Sequence, residues 1–311
     1  MSASTPSVII VGAGLSGAAC ATELNRAGMT VHVVDRGRAP GGRMSSPIEH
    51  GRRVDLGAAY FTVKDEDFGR VVADWTARGL VRRWTDTFTV LGPDGRSTTS
   101  GPVRYAARDG LRSLVRDLLP DELSLHTGLD AVDEIDGDAV VLAMPDPQAE
   151  RLVGSVVEWV DYEPVIAIAA GWDTRRWTAF DAAFVNDDPD LSLLADDGAR
   201  RGDDAAVLVL HTTPQRARSH LDAPQDAVGP AIAAAQRLLG FNDEPTWTRE
   251  HRWTFAKPAG THGDEPFGLI NRGGRLLGLC TDSWCPIGVP RIESAWLSGQ
   301  RLGRELAQRL A

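Results

Sequence analysis

The chain has 311 residues, 42% of them hydrophobic and 24% charged, as is typical of a globular protein with one large or two closely joined domains. A net charge of -10 without a basic stripe argues against binding to nucleic acid or to an anionic membrane surface. No apolar run approaches the roughly 20 residues needed to cross a bilayer, and residues 1–7 are too polar for a signal peptide. The three cysteines lack the spacing of a disulfide framework, so we expect a reduced, cytoplasmic protein.

The first part of the chain predicts a strand, a helix and a second strand, the βαβ unit that binds dinucleotides. Its turn has the Gly-x-Gly-x-x-Gly pattern of Gly12, Gly14 and Gly17. The first glycine permits the tight turn, the second lets the backbone approach a pyrophosphate, and the third lets helix and strand pack closely. Asp35 ends the second strand, where a carboxylate can accept both hydroxyls of a ribose. An ordinary βαβ unit without a ligand is the alternative. The predicted cofactor-binding residues of this unit are Gly12, Ala13, Gly14, Leu15, Ser16, Gly17, Asp35 and Arg36.

The periodicity of apolar residues predicts the elements in chain order. The first part has strands at 8–11 and 30–35 around a helix at 18–26, then a helix at 65–78, strands at 80–84 and 87–90, a turn at 92–95, a helix at 109–119, and strands at 123–129 and 139–145. The second part has strands at 165–172 and 205–211, a helix at 226–240, a strand at 247–255, a last strand at 275–280 and a last helix at 291–311. The segment 186–204 is acidic and turn-rich, and we expect it to be exposed.

Four short motifs add to the βαβ unit. They are Arg-Gly-Arg-Ala-Pro-Gly-Gly-Arg at 36–43, Asp-Leu-Gly-Ala-Ala-Tyr-Phe-Thr at 55–62, Thr-Asp-Ser-Trp at 281–284 and Arg-Ile-Glu-Ser-Ala-Trp-Leu-Ser-Gly at 291–299. In these motifs the chain resembles the flavin-containing amine oxidase superfamily and, within it, the renalase-like proteins. The resemblance implies FAD as cofactor. It weakens in the middle of the chain, where Ala59, Leu193 and Arg216 replace residues that are usual in renalase-like sequences.

The resemblance also assigns residues to the FAD site. It implies that Gly42 and Arg43 continue the site toward the flavin, that Leu129 lies against the adenine, and that Asp282 bonds the ribityl chain or pyrophosphate. A surface turn at 41–43 and a helix cap or turn at Asp282 are the alternatives. The remaining implied cofactor residues are Tyr60, Phe61 and the start of the last helix, Arg291, Ile292 and Glu293.

The candidate catalytic residues are Tyr60, Trp253 and Lys257, with a solvated lysine as the alternative for Lys257. We expect His211 to be a satisfied core residue. Because Cys280 and Cys285 do not match the cysteine context of covalently flavinylated amine oxidases, we expect noncovalent FAD and structural cysteines. No spacing typical of a metal site is found.

The predicted fold is a two-domain α/β flavoprotein. A Rossmann-like FAD domain is expected from 1–62, 104–155 and 265–311, and a sheet-and-helix substrate domain from 63–103 and 156–264. The resemblance implies an oxidase that passes hydride from an isomeric (2- or 6-) dihydro-NAD(P) to flavin N5 and is reoxidised by dioxygen, yielding NAD(P)+ and hydrogen peroxide. Oxidation of a small-molecule amine, or flavin binding without turnover, are the alternatives.

Overall fold

The computed structural model describes residues 5–128, 132, 135–285, 288 and 290–311. The strands in this part of the chain are β1 Ser7–Val11, β2 Thr30–Val34, β3 Ile48–Glu49, β4 Arg52–Arg53, β5 Val81–Gly92, β6 Gly95–Ala107, β7 Leu123–Ser124, β8 Ala139–Leu142, β9 Tyr162–Gly171, β10 Ala182–Val185, β11 Leu191–Asp196, β12 Val207–Thr212, β13 Trp247–Pro258, β14 Gly268–Arg272 and β15 Arg275–Leu279. The helices are α1 Leu15–Arg26, α2 Glu66–Ala77, α3 Arg112–Leu118, α4 Asp146–Val153, α5 Asp197–Arg201, α6 Pro214–Ser219, α7 Val228–Leu239 and α8 Ile292–Leu310, with short 3-10 helices at Gly42–Met44 and Pro224–Ala227. None of the described helices is long and apolar enough to span a membrane.

The first sheet has six strands in the order β14-β15-β8-β1-β2-β7. Strand β1 lies parallel to both β2 and β8, and only the edge strand β14 runs antiparallel to its neighbour among the described strands of this sheet. Val8, Ile10 and Val33 are fully buried, as expected for β-branched residues in a sheet covered on both faces. Leu24 of α1 and Leu302 of α8 belong to the same core cluster as these strands. The predicted βαβ unit is therefore confirmed.

The second sheet has seven strands in the order β13-β9-β12-β11-β10-β5-β6. Helix α7 covers one face of it with small residues, including Ala231, Ala234 and Ala235. The two strands predicted at 80–84 and 87–90 are one strand, β5, because irregular pairing with β6 between Arg83 and Thr87 interrupts its alternation without ending it. Together the two sheets confirm the two-domain α/β fold.

The segment predicted to be exposed, 186–204, is exposed near both ends but mostly buried over 190–201, so that expectation is wrong for its middle part. It contains β11 and α5, and the side chains of Asp196 and Asp197 are fully shielded from solvent. Acidic composition indicated exposure because an unpaired buried carboxylate is costly. The cost is avoided here because both acids are paired. Asp196 pairs with Arg175 and accepts a hydrogen bond from the indole N–H of Trp177, and Asp197 pairs with arginines from its own helix and from a distant hairpin.

The acid at the centre of this buried network is Asp197. Its carboxylate pairs with Arg200 and Arg201 of the same helix and, at 2.5 Å, with Nη1 of Arg52 from the β3–β4 hairpin. Arg201 also reaches Asp55 with a 2.9 Å contact between Nη2 and Oδ2. Burial alone would raise the pKa of Asp197, but the surrounding arginines lower it to about 2. The network ties α5 to the segment that leads from the first sheet into α2.

The predicted strand 123–129 is only the short strand β7, and the helix predicted at 109–119 begins at Arg112. Both sheets are assembled from separate segments of the chain, and β6 continues in the second sheet to Ala107. The division into an FAD domain and a substrate domain at the expected boundaries remains a proposal.

Candidate functional site

A cavity of about 1370 Å³ lies where the carboxyl ends of the first sheet meet strands β12 and β13 of the second. Most of the residues predicted from the sequence line it together. They are Gly12, Gly14, Leu15, Ser16, Asp35, Arg36, Gly42, Arg43, Tyr60, Phe61, Trp253, Lys257, Asp282, Arg291 and Ile292. Ala13, Gly17 and Glu293 do not line it, and Leu129 lies outside the described residues. Ligands of open α/β sheets bind at this edge, outside the carboxyl ends of the strands.

The three glycines of the β1–α1 turn differ in the space around their Cα atoms. Gly12 has a φ of +119°, and a Cβ there would overlap the main-chain oxygen of Ala143. A Cβ on Gly17 would overlap the main-chain oxygen of Gly12, so this glycine permits close packing of helix and strand. A Cβ on Gly14 would meet no atom within 4 Å and would enter the cavity. The turn therefore forms a cradle in which the backbone is open to a ligand at Gly14.

Helices α1 and α8 both begin at this cavity. Gly299 and Gly303 of α8 pack against the backbone of Ser16 and Cys20 in α1, respectively, so the two helices run parallel. A parallel arrangement places both helix N-termini, with their free N–H groups and positive dipole ends, at the same side of the fold. No acidic side chain lies in the first turn of α1, and its N-cap makes no side-chain hydrogen bond. The pair of helix starts is suited to anionic groups such as phosphates.

The Asp35 carboxylate is held in position by backbone N–H groups. Ala13 donates to its Oδ2 at 2.7 Å and Gly37 donates to its Oδ1 at 2.6 Å. Ala13 thus contributes to the site through its N–H group although its own side chain is buried away from the cavity. Each carboxylate oxygen keeps a lone pair, so Asp35 can still accept hydrogen bonds from ligand hydroxyls.

Arg43 and Asp282, which are 239 residues apart, form a bidentate ion pair at the cavity wall. The Nη1–Oδ2 and Nη2–Oδ1 distances are 2.8 and 2.5 Å, and Nη1 also donates to the carbonyl of Ala256 on β13 at 3.0 Å. Burial opposes the charge on Arg43, but the Asp282 carboxylate outweighs it and raises the pKa of the guanidinium. The pair joins the two sheets beside the cavity. That Asp282 also bonds a cofactor remains a prediction.

The side chain of Glu293 supports the fold rather than the cavity. It is fully buried, and its Oε1 accepts hydrogen bonds from the N–H groups of Lys64 at 2.6 Å and Asp65 at 2.7 Å. These bonds anchor the start of α8 to the start of α2. The expected contribution of Glu293 to cofactor binding is therefore limited to its backbone.

The second sheet supplies the opposite wall. The indole N–H of Trp253 donates to the carbonyl of Leu56 at 2.6 Å, and its ring lies 4.3 Å from that of His251. Tyr60 makes an edge contact with Phe88, with ring centroids 5.2 Å apart. These contacts fix aromatic rings along the wall. Lys257 is exposed on the same strand as Trp253.

His211 on β12 is a functional candidate that sequence reasoning assigned to the core. It lines the cavity, so the expectation of a core histidine is wrong. Its ring hydrogen-bonds the backbone of Gly57, while its buried Nε2 has no hydrogen-bond partner among the described residues. Burial, together with the charges of Lys257 and Arg200, lowers its pKa to about 3. A single histidine in a strand carries no signal of this position, because the neighbours of β12 are set by tertiary structure.

The cysteines are buried and free, and neither Cys280 nor Cys285 is among the cavity-lining residues. The thiol of Cys285 lies 3.1 Å from the hydroxyl of Ser294, and burial raises the pKa of Cys280 to about 12. A buried thiol held in its neutral form is a poor nucleophile. Both residues are therefore placed as structural cysteines. Within the described residues there is no group of His, Cys, Asp or Glu that could hold a metal ion.

Solved structures with a similar fold include three oxidases. Cyclohexylamine oxidase from Brevibacterium oxydans IH-35A superposes with a TM-score of 0.75 at 14% identity over 99% of this chain and 100% of that chain. A proposed protoporphyrinogen oxidase from Exiguobacterium sp. 255-15 gives 0.77 at 14% over 98% and 99%, and putrescine oxidase gives 0.70 at 13% over 98% and 100%. At these identities the likeness shows the fold. It is the two-domain α/β fold of these oxidases.

Matches at the level of sequence are partial. Residues 10–75 match the family of the NAD(P)-binding Rossmann-like domain. Phytoene desaturase (neurosporene-forming) of Rhodobacter capsulatus is 49% identical over 98 residues, which cover 30% of this chain and 18% of that protein. The enzyme of the same name from Cereibacter sphaeroides is 44% identical over 55 residues, covering 18% of this chain and 11% of that protein. The chain thus spans less than a fifth of the length of these curated relatives.

Proposed function

We propose that this protein is an FAD-dependent oxidoreductase that holds FAD noncovalently. The observation that carries the proposal is the convergence of the open Gly14 backbone, two helix N-termini and the positioned Asp35 carboxylate on one cavity. A dinucleotide needs each of these features, a cradle for its pyrophosphate and an acceptor for its ribose hydroxyls. A cavity of about 1370 Å³ exceeds the 300–1,000 Å³ that is typical for one small ligand, so it has room for a cofactor and a substrate.

The residues of the chain have separate tasks in this proposal. The α1 start and Gly14 hold the pyrophosphate, Asp35 accepts the adenosine ribose hydroxyls, and the α8 start stabilises negative charge at the flavin ring. The Arg43–Asp282 pair orients the wall at the flavin end. FAD, when bound, would accept the hydride and then be reoxidised by dioxygen.

For the substrate we favour an isomeric (2- or 6-) dihydro-NAD(P). Loss of one hydride from the substrate leaves the aromatic nicotinamide cation, so the protein need not remove a proton from the substrate. Dioxygen then takes the hydride from the cofactor together with one proton, which yields hydrogen peroxide. The histidines that line the cavity suit this chemistry, because burial lowers the pKa of His211 to about 3 and also lowers the pKa of His251. Oxidation of a small-molecule amine is the second candidate, supported by the fold shared with putrescine oxidase and cyclohexylamine oxidase.

The first experiment tests the cofactor. The purified protein is expected to be yellow and to release intact FAD on acid precipitation, and flavin that stays with the precipitate would contradict our assignment of Cys280 and Cys285. Gly14→Glu should abolish FAD binding because its side chain would enter the cradle with a repelling charge. Gly229→Glu is the matched control, since Gly229 is exposed on α7 with open space around it. Equal loss of FAD in both variants would refute the assigned cradle.

The second experiment tests the reaction. Anaerobic mixing with each dihydro-NAD(P) isomer, and separately with simple amines, should bleach the flavin rapidly only with an isomer. Fast bleaching by amines alone would establish the second candidate. A protein that binds FAD but is bleached by neither class would be a flavin-binding protein without this turnover.

A further inference from the structure

The cavity is basic although the chain as a whole is acidic. Six cationic side chains and three carboxylates line the cavity, in a chain with a net charge of -10. The cations are Arg36, Arg43, Arg151, Arg252, Lys257 and Arg291, and the carboxylates are Asp35, Asp222 and Asp282. Asp282 is already paired with Arg43. With Arg291 set aside, the four other lining cations outnumber the two other lining carboxylates.

Three of these cations come from two elements outside the βαβ unit. Arg151 lies on α4, and Arg252 and Lys257 lie on the edge strand β13. The Arg151 guanidinium is 5.7 Å from the ring centroid of Phe255, three residues after Arg252, so the helix and the strand approach each other here. All three side chains are exposed at the cavity.

Among the described residues, none of these three cations is within ion-pair distance of a carboxylate. Arg252 donates to the carbonyl of Leu221, a hydrogen bond that does not neutralise its charge. Glu163, which pairs in register with Lys257 across the strands, lies 3.6 Å from Arg218, and Asp222 follows Leu221 at the cavity. By contrast Arg249 on the same strand is paired with Glu49 at 3.4 Å.

Unpaired arginines at a cavity attract anions and repel ammonium groups. Arginine is suited to phosphate because its planar guanidinium donates two parallel hydrogen bonds. Cations that line one cleft also concentrate anionic ligands there and raise their rate of association. A cationic amine would meet a repulsive field, because the six lining cations outnumber the three lining carboxylates.

We propose that Arg151, Arg252 and Lys257 form a phosphate-binding subsite for the substrate, and that the substrate is therefore a phosphate-bearing molecule. This inference rests on the proposed function and selects the dinucleotide class over the amine class. Arg151 and Arg252 bind the phosphate groups outside the ring-binding part of the cavity, next to Trp253. Lys257 lies five residues further along β13 than Arg252 and lowers the pKa of His211 on the neighbouring wall.

The direct test is equilibrium binding of inorganic pyrophosphate to the FAD-loaded protein, measured by calorimetry and by the change in flavin absorption. We expect binding that weakens as salt increases. Arg151→Gln and Arg252→Gln should each weaken it at least about fivefold, as for the loss of one charge-assisted hydrogen bond. Arg249→Gln is the matched control and should leave it unchanged, because Arg249 does not line the cavity. Absence of pyrophosphate binding, or equal loss in all three variants, would overturn the subsite.

A second measurement separates the subsite from the proposed function. Anaerobic flavin reduction is compared between a dihydronicotinamide isomer as its mononucleotide and as its riboside, which lacks the phosphate. Selective loss of the mononucleotide's advantage in Arg252→Gln supports the subsite. Equal rates for both compounds overturn the subsite while the proposed reaction stands. Pyrophosphate binding that depends on Arg151 and Arg252, without reduction by any isomer, supports the subsite and refutes the proposed reaction.

Discussion

His211 should make the folded protein less stable in mild acid. Its imidazole is buried beside the cavity, where burial and the charges of Lys257 and Arg200 lower its pKa to about 3 from an ordinary 6.5. Between these two values the unfolded chain binds a proton that the folded chain does not. The free energy of unfolding must therefore fall as the pH is lowered below about 6.5, and the loss is complete near the folded pKa.

The size of the effect follows from the shift. One pKa unit corresponds to about 1.4 kcal/mol, so His211 should cost the protein about 2 kcal/mol at pH 5, which is about 1.5 units below its unfolded pKa. At pH 7.5 its contribution is close to zero. His211→Gln removes the titrating group but keeps a polar side chain. Between pH 7.5 and 5, the free energy of unfolding of this variant should therefore fall by about 2 kcal/mol less than that of the wild type.

The assay is urea unfolding of both proteins at the two pH values and at one fixed FAD concentration. Comparing each protein with itself at the two pH values cancels the stability change caused by the substitution. His126→Asn, at an exposed site with a φ of 56° that asparagine tolerates, is the control and should follow the wild type. Equal pH dependence in wild type and His211→Gln would show that His211 is not protected from protonation in the folded state, and the reasoning would fail.

Three further outcomes are expected. Asp282→Ala should weaken FAD binding by about 1–3 kcal/mol in fluorescence titrations, because Arg43 loses its bidentate partner at the cavity wall. A variant that is insoluble with or without added FAD would instead show that Asp282 is needed for folding. Flavin reduction by a dihydro-NAD(P) isomer in anaerobic stopped flow should be nearly flat between about pH 6 and 8.5, since no substrate proton is removed, whereas a rate that rises steeply with pH for simple amines would favour the amine reaction. Gly299→Ala should lower the free energy of unfolding by about 1–3 kcal/mol, because the added methyl group would overlap the main chain of α1. Gly229→Ala, at an exposed position of α7, is the control. Equal thermal midpoints for the two variants would show that α1 and α8 can move apart freely.

The local parts of the site were predictable from the sequence because they depend on neighbours in the chain. The spacing of Gly12, Gly14 and Gly17 between a buried strand and a helix specifies the cradle, and Asp35 comes at the end of the next strand. Strand and helix periodicity likewise predicted most elements of both sheets. The later motif around Asp282 carried its signal only through resemblance to a family.

Tertiary structure decided which residues that lie far apart in the chain become partners. The pairing of Arg43 with Asp282 and the burial of Asp197 both depend on contacts between residues more than a hundred positions apart. For Asp197, the composition of its segment had favoured exposure. The placement of His211 and Arg252 at one cavity follows from strand order, in which β12 and β13 flank β9 although 34 residues separate β12 from β13 along the chain. Periodicity reports which face of an element is buried. It cannot report which element covers that face, since many strand orders bury the same residues and the interactions of charged and polar side chains differ among them.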